Sequence, residues 1–124
     1  MMDSRLQEGI GLFNTGRYFE CHESLEEFYQ RSEDEHKPFL EGLVQLAAAC
    51  RLLVEFGEVQ GPVRMIRQAI IRLENYQPHY LGIQVKTLIG ALEKWADGME
   101  SDGTLASRSR IKVPQIRSRW FVNR

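Results

Sequence analysis

Residues 19–29 read FECHESLEEFY, and within them His22, Glu26 and Tyr29 stand four and three residues apart. At about 100° of rotation per residue, those spacings stack the three side chains on successive turns of one helix face. An imidazole and a carboxylate one turn apart can hydrogen-bond each other, share a metal ion, or act as an acid–base pair. The same rotation puts Tyr18, His22, Leu25 and Tyr29 in one narrow stripe, with Cys21 and Phe28 widening it on one side and Glu26 at its other edge. His22 is therefore expected to face inward. Glu20, Glu23, Ser24 and Glu27 project away from it.

Each chemistry makes its own demand on the rest of the chain. A metal ion needs more than His22 and Glu26, since two protein ligands do not close a zinc site. Glu41 and Gln45 supply a second turn-spaced polar pair on an otherwise apolar segment, so the expected metal ligands are His22, Glu26 and Glu41 around a divalent ion of open identity. Tyr29 would then be a hydrogen-bonding cavity wall and Gln45 an orienting amide, the two residues expected to hold a bound small ligand. His36 and His79 are more remote nitrogen donors. An acid–base role has no nucleophile or phosphate-binding loop beside it, so it specifies no reaction and no catalytic residue. The zinc-protease spacing HExxH is absent, because the residue four after His22 is Glu26. A purely structural reading is also open, with His22 bonded to Glu26 or Tyr29 in the interior. Metal or small-ligand binding is the preferred function, and the alternative is a non-catalytic helical interaction module in which the cluster is a polar core.

The elements that must position these residues follow from apolar periodicity. Asp3 or Ser4 can cap a first helix in which Leu6, Ile10 and Phe13 recur at helical spacing, and Gly16 ends it. A second helix is expected from Tyr18 to Ser32, then the charged turn SEDEHKP, with Pro38 in the first turn of a third helix. That third helix, PFLEGLVQLAAACRLLVEF, is interrupted only by Glu41, Gln45, Arg51 and Glu55, so it should be central, and an aspartate at Leu46 or Ala48 should damage the fold. Gly57 stops it. A fourth helix begins near Pro62, and a fifth runs through Leu81, Val85, Leu88, Leu92 and Trp95, bracketed by Pro78 and Gly98. No useful length of sequence alternates as a strand would. The expected fold is all-α, a compact bundle or array of about five helices with an extended C-terminal tail. The first two helices resemble a single tetratricopeptide-type hairpin, but no second unit follows.

Composition narrows the function classes. The 124 residues suit a helical domain over 1–102 and a distinct tail over 103–124. Residues 1–102 hold 17 acidic and 10 basic side chains, whereas 103–124 hold six basic and none acidic. The tail interleaves Arg108, Arg110, Lys112, Arg117, Arg119 and Arg124 with Ile111, Val113, Ile116, Trp120 and Phe121. Nucleic-acid binding through that tail is a minor hypothesis; the favoured reading straps its apolar residues onto the acidic helical body. No apolar run approaches the roughly 20 residues that span a membrane, and no basic leader precedes an apolar stretch, so a cytoplasmic protein is expected. Cys21 and Cys50 lack CxxC spacing and sit in apolar helical pattern, which predicts buried, reduced thiols. A protein partner or a second copy of the chain remains an open class of partner.

Taken together, GRYFECHESLEEFY, KPFLEGLVQLAAAC and GEVQGPVRMI resemble the small bacterial and archaeal proteins of domain of unknown function family 309, over roughly residues 5–75. The hallmark is HxxxExx followed by Trp or Tyr, matched by His22, Glu26 and Tyr29. The resemblance implies an all-helical fold and a suspected metal-binding role for the motif, with no established activity. Glu41 stands where the family pattern has Gln, Glu58 and Pro62 depart from it as well, and a histidine frequent late in the third helix is missing. Those departures favour an oxygen-rich or metal-free site over a conventional zinc site.

Overall fold

Asp3 accepts a hydrogen bond from the Arg5 backbone N–H at 2.8 Å and caps the first helix, α1 (Ser4–Asn14). Gly16, at φ +82°, lets the chain reverse, because a Cβ at that dihedral would crowd the backbone. Next comes α2 (Tyr18–Arg31), followed by a 3-10 turn at Asp34–His36 that leads directly into α3 (Lys37–Phe56). Pro38 occupies the first turn of α3, where its missing N–H costs nothing, and Gly57 in the left-handed region closes the helix. The chain continues through α4 (Gln60–Leu73) and α5 (Val85–Ser101). The computed structural model describes residues 2–101 and 112–118.

The architecture is all-α, with five α-helices among the described residues. Its packing follows chain order: α1 lies on α2, α2 and α4 flank α3, and α5 lies on α4. Phe39, Leu40, Gly42, Leu43, Leu46, Ala47, Ala49, Cys50 and Leu53 of α3 are all buried, so its central place follows from having apolar residues on nearly every side. Arg67 ties α4 to α5 by donating to Asp97 at 2.7 Å and Glu100 at 2.5 Å. No helix among the described residues is long and apolar enough to cross a membrane.

The expected start of the fifth helix at Leu81 is wrong. Residues His79–Tyr80 (β1) and Ile83–Gln84 (β2) form a small antiparallel hairpin, and Leu81 and Gly82 make its turn at φ +50° and +84°. Strands of two residues are too short to show alternation, and positive φ at two successive positions excludes helix there. The tail reinforces this hairpin. Ile83 bridges Ser118, Gln84 donates from its backbone to the Arg117 carbonyl at 2.9 Å, and Asn14 both donates to the Ile116 carbonyl (2.9 Å) and accepts from its N–H (2.8 Å). Ile116 is buried and Val113 packs against the core. Arg108, Arg110, Ile111, Arg119, Trp120, Phe121 and Arg124 lie outside the described residues.

Cys21 and Cys50 are free and fully buried. Desolvation pushes the Cys21 thiol up to about 12 from its usual value near 9, pushes Cys50 up further, and pushes the neighbouring Tyr18 hydroxyl up to about 12. In the unfolded chain these groups ionise at ordinary pH values, so above pH 9 the unfolded state loses protons that the native state keeps. Stability contributed by the neutral groups is therefore complete below pH 9 and falls as pH rises toward 12. Native protein at pH 8 is expected to resist alkylation at both positions and to label fully in denaturant. Rapid labelling of either thiol in native protein would contradict its burial.

Candidate functional site

The short connection after α2 turns the chain back on itself, so the end of α2 faces the beginning of α3. His22, Glu26 and Tyr29 of α2, Glu41, Val44, Gln45 and Ala48 of α3, and Arg72 of α4 line a cleft of about 330 Å³. All five residues singled out from the sequence therefore meet in one cavity. Their convergence has a simple cause. The buried stripe of α2 is Tyr18, Cys21, Leu25 and Phe28, which seats that helix in the core and leaves the next stripe, His22–Glu26–Tyr29, at the edge of the α2–α3 seam. On α3 the same happens to Glu41, Val44, Gln45 and Ala48, which border the buried Leu40–Leu43–Ala47 face.

His22 is consequently displaced from the inward position its stripe suggests. Its side chain is 33 % exposed, and Nδ1 stands 4.0 Å from Glu23 Oε2. No hydrogen bond joins it to Glu26 or Tyr29 among the described residues. Glu26 instead accepts from Gln30 Nε2 at 3.3 Å, and the Tyr29 ring carries the Lys37 ammonium 5.4 Å from its centroid. His22 and Glu26 thus line the cleft without being bonded to each other, with His22 Nδ1 on the side of Glu23. His36 and His79 do not line it. His36 Nδ1 meets the Tyr80 hydroxyl at 2.6 Å, and His79 is exposed on β1.

Arg72 is the residue that the sequence did not disclose. Its Nη1 donates to Glu41 Oε1 at 3.1 Å and its Nε to Gln45 Oε1 at 3.2 Å, while Gln45 Nε2 donates onward to Gln68 Oε1 at 2.7 Å. Both ends of the Gln45 amide are thereby engaged within the protein, holding Arg72 at the wall of the cavity. The guanidinium gets there because Gly42 has no side chain: an added Cβ would stand 3.1 Å from Leu73 Cδ2 and 3.3 Å from Arg72 Cβ. A glycine amid apolar helix positions marks such a close approach, and it was the one available signal for α4 at this site.

The charge pattern of the cleft is mixed. Glu41 is matched by Arg72, whereas among the described residues Glu26 has the neutral amide of Gln30 as its partner. Glu26 also lines an adjoining depression with Glu8, Leu12, Arg17, Glu20, Glu23, Ser24 and Glu27, in which Arg17 is paired with Glu20. For a metal ion the donor chemistry of His22, Glu26 and Glu41 is suitable, but the placement is not: among the described residues no group of three or more His, Cys, Asp or Glu side chains is disposed to hold one. Glu41 would first have to leave Arg72.

A family model described as "Domain of unknown function (DUF309)" matches residues 6–65, which run from α1 through α3 into the first turns of α4. No curated protein matches the chain.

Proposed function

Since this chain belongs through residues 6–65 to the DUF309 family, whose description assigns no activity, we propose from the geometry that the cleft between α2 and α3 is a small-ligand-binding site centred on His22 and Glu26. The observation that carries this reading is convergence: five chemically capable side chains from two helices, joined by Arg72 from a third, surround one cavity of about 330 Å³. That size is at the lower end of small-molecule sites. His22 and Glu26 supply the nitrogen and oxygen donors, Tyr29 forms the wall beside them, and the Gln45–Arg72 pair fixes the far side. A divalent ion belongs to the same proposal with His22 and Glu26 as its first ligands and Glu41 as a ligand only after exchange from Arg72.

The structural-core alternative makes the opposite forecast for the same variants. His22 and Glu26 are partly exposed and not bonded to each other, so His22→Ala and Glu26→Gln are each expected to shift unfolding free energy by less than about 1 kcal/mol. Both should abolish any ligand-induced rise in melting temperature. Melts of the three proteins with a panel of small metabolites and with zinc, manganese, iron or magnesium salts check this, alongside elemental analysis of protein purified without chelator. A loss of about 1–3 kcal/mol in both variants, with no ligand raising the melting temperature of the native protein, would instead mark a structural polar cluster. The interaction-module alternative has its own surface, where exposed Phe19 and Phe56 flank the Arg51 guanidinium at 4.5 and 5.3 Å.

A further inference from the structure

We infer that the ligand of this cleft is a small organic cation, held by the Glu26 carboxylate against the Tyr29 ring, with Arg72 as the residue that limits its affinity. The inference rests on the small-ligand reading and narrows it by charge. Among the described residues, Glu26 is the carboxylate of the cavity with no ion-pair partner, since Arg72 is committed to Glu41 and Gln45. Beside it stands the Tyr29 ring, with the Lys37 ammonium 5.4 Å from its centroid and 3.7 Å from Asp34 Oδ1; a bound cation would take that ring face while Lys37 stays on Asp34. A carboxylate next to an aromatic face is the pairing that recognises an ammonium or guanidinium group.

The approach to the cleft has the same sign. Six carboxylates, those of Glu8, Glu20, Glu23, Glu26, Glu27 and Glu41, line the cavity and the depression that shares Glu26. Among the described residues five cations stand near them: Arg17 on Glu20, Arg72 on Glu41, Arg31 at 3.6 Å from Glu27, Arg5 bonded to Asp3 but within electrostatic reach of Glu27, and Lys37 between Asp34 and Tyr29. The surplus is negative, so a cation is steered in and an anion turned away. An organic cation fits better than a bare metal ion, because one carboxylate and a ring face satisfy it without taking Glu41 from Arg72. The Arg72 guanidinium opposes the cation twice over, by like charge and by occupying the second carboxylate.

Three four-carbon probes separate charge from shape: 1,4-diaminobutane, 1,4-butanediol and succinate, titrated calorimetrically at low salt, with amide and imidazole shifts around His22 locating the site. The diamine is expected to bind about tenfold or more tightly than the diol, the advantage of one charge-assisted hydrogen bond, and succinate is expected not to bind. Glu26→Gln should remove that advantage, whereas Arg72→Met should tighten diamine binding several-fold by freeing Glu41. Added salt should weaken the diamine alone. If the diol or succinate shifts His22 as strongly as the diamine does, the small-ligand reading survives and the cation assignment is overturned. If Arg72→Met abolishes diamine binding, Arg72 is an anchor and its assigned role is wrong. Absence of diamine binding to the native protein also defeats the inference; the metabolite panel judges the broader reading on its own.

Discussion

Leu46→Asp is expected to leave no cooperatively folded protein. Leu46 is fully buried on α3, the helix that α2 and α4 both pack against. Truncating a buried leucine costs about 2–5 kcal/mol, and an unpaired carboxylate in that interior adds several more. Their sum reaches the total stability of about 5–15 kcal/mol available to a domain of this kind. Circular dichroism should show loss of a cooperative thermal transition, and a melt like that of the native protein would refute the central placement of α3. Ala48→Asp is the instructive control, because the expectation from α3 alone was damage at both positions. Ala48 is only half-buried and forms part of the cleft floor. An aspartate there can reach water, so this variant is expected to fold with a loss of about 1 kcal/mol. It should also make the cleft more acidic and tighten diamine binding.

Phe39→Ala is expected to destabilise the protein by about 3–5 kcal/mol, the usual cost of removing a buried phenylalanine ring. Phe39 is fully buried, and its ring lies 5.2 Å from Tyr76 and 4.9 Å from Tyr80, which are themselves 4.6 Å apart. Tyr80 in turn hydrogen-bonds His36 at 2.6 Å. This group of rings joins the start of α3 to the turn after α4 and to the hairpin, so the truncation loses more than one side chain's burial. Urea denaturation at equilibrium measures the effect through the midpoint. A change below about 1 kcal/mol would mean that the rings collapse into the vacated space, and the assigned role of Phe39 as their common support would fail. The cleft lies along the α2–α3 seam and includes none of these rings, so diamine binding by the fraction that remains folded should be unchanged.

Much of the molecule was legible from local order. Apolar spacing along α1 to α4, the cap at Asp3, the stop at Gly57 and Pro38 in the first turn of α3 each act within a few residues, so a linear reading captures them. The same holds for the adjacency of His22, Glu26 and Tyr29, because a helix fixes it without reference to anything else. Glu41 and Gln45 could be paired with them because α2 and α3 are joined by so short a connection that their facing ends must meet. Where the fold departs from that reading, a contact remote in sequence is the cause. The hairpin at 79–84 is fastened by Ser118 and Arg117, and α5 accordingly starts at Val85 rather than Leu81. His22 sits at a cleft edge rather than inside because packing against α3 and α1 chose Cys21, Leu25 and Phe28 as the buried stripe, a rotation that periodicity alone leaves free by about one residue. Arg72 enters the site because Gly42 admits α4 closely enough for its guanidinium to reach Glu41 and Gln45. The sequence by itself thus determined which helices form and which side chains share a face, since both are set by backbone hydrogen bonds between near neighbours. Only the tertiary structure decided which charges meet across the cleft, since that depends on how closely separate helices can pack.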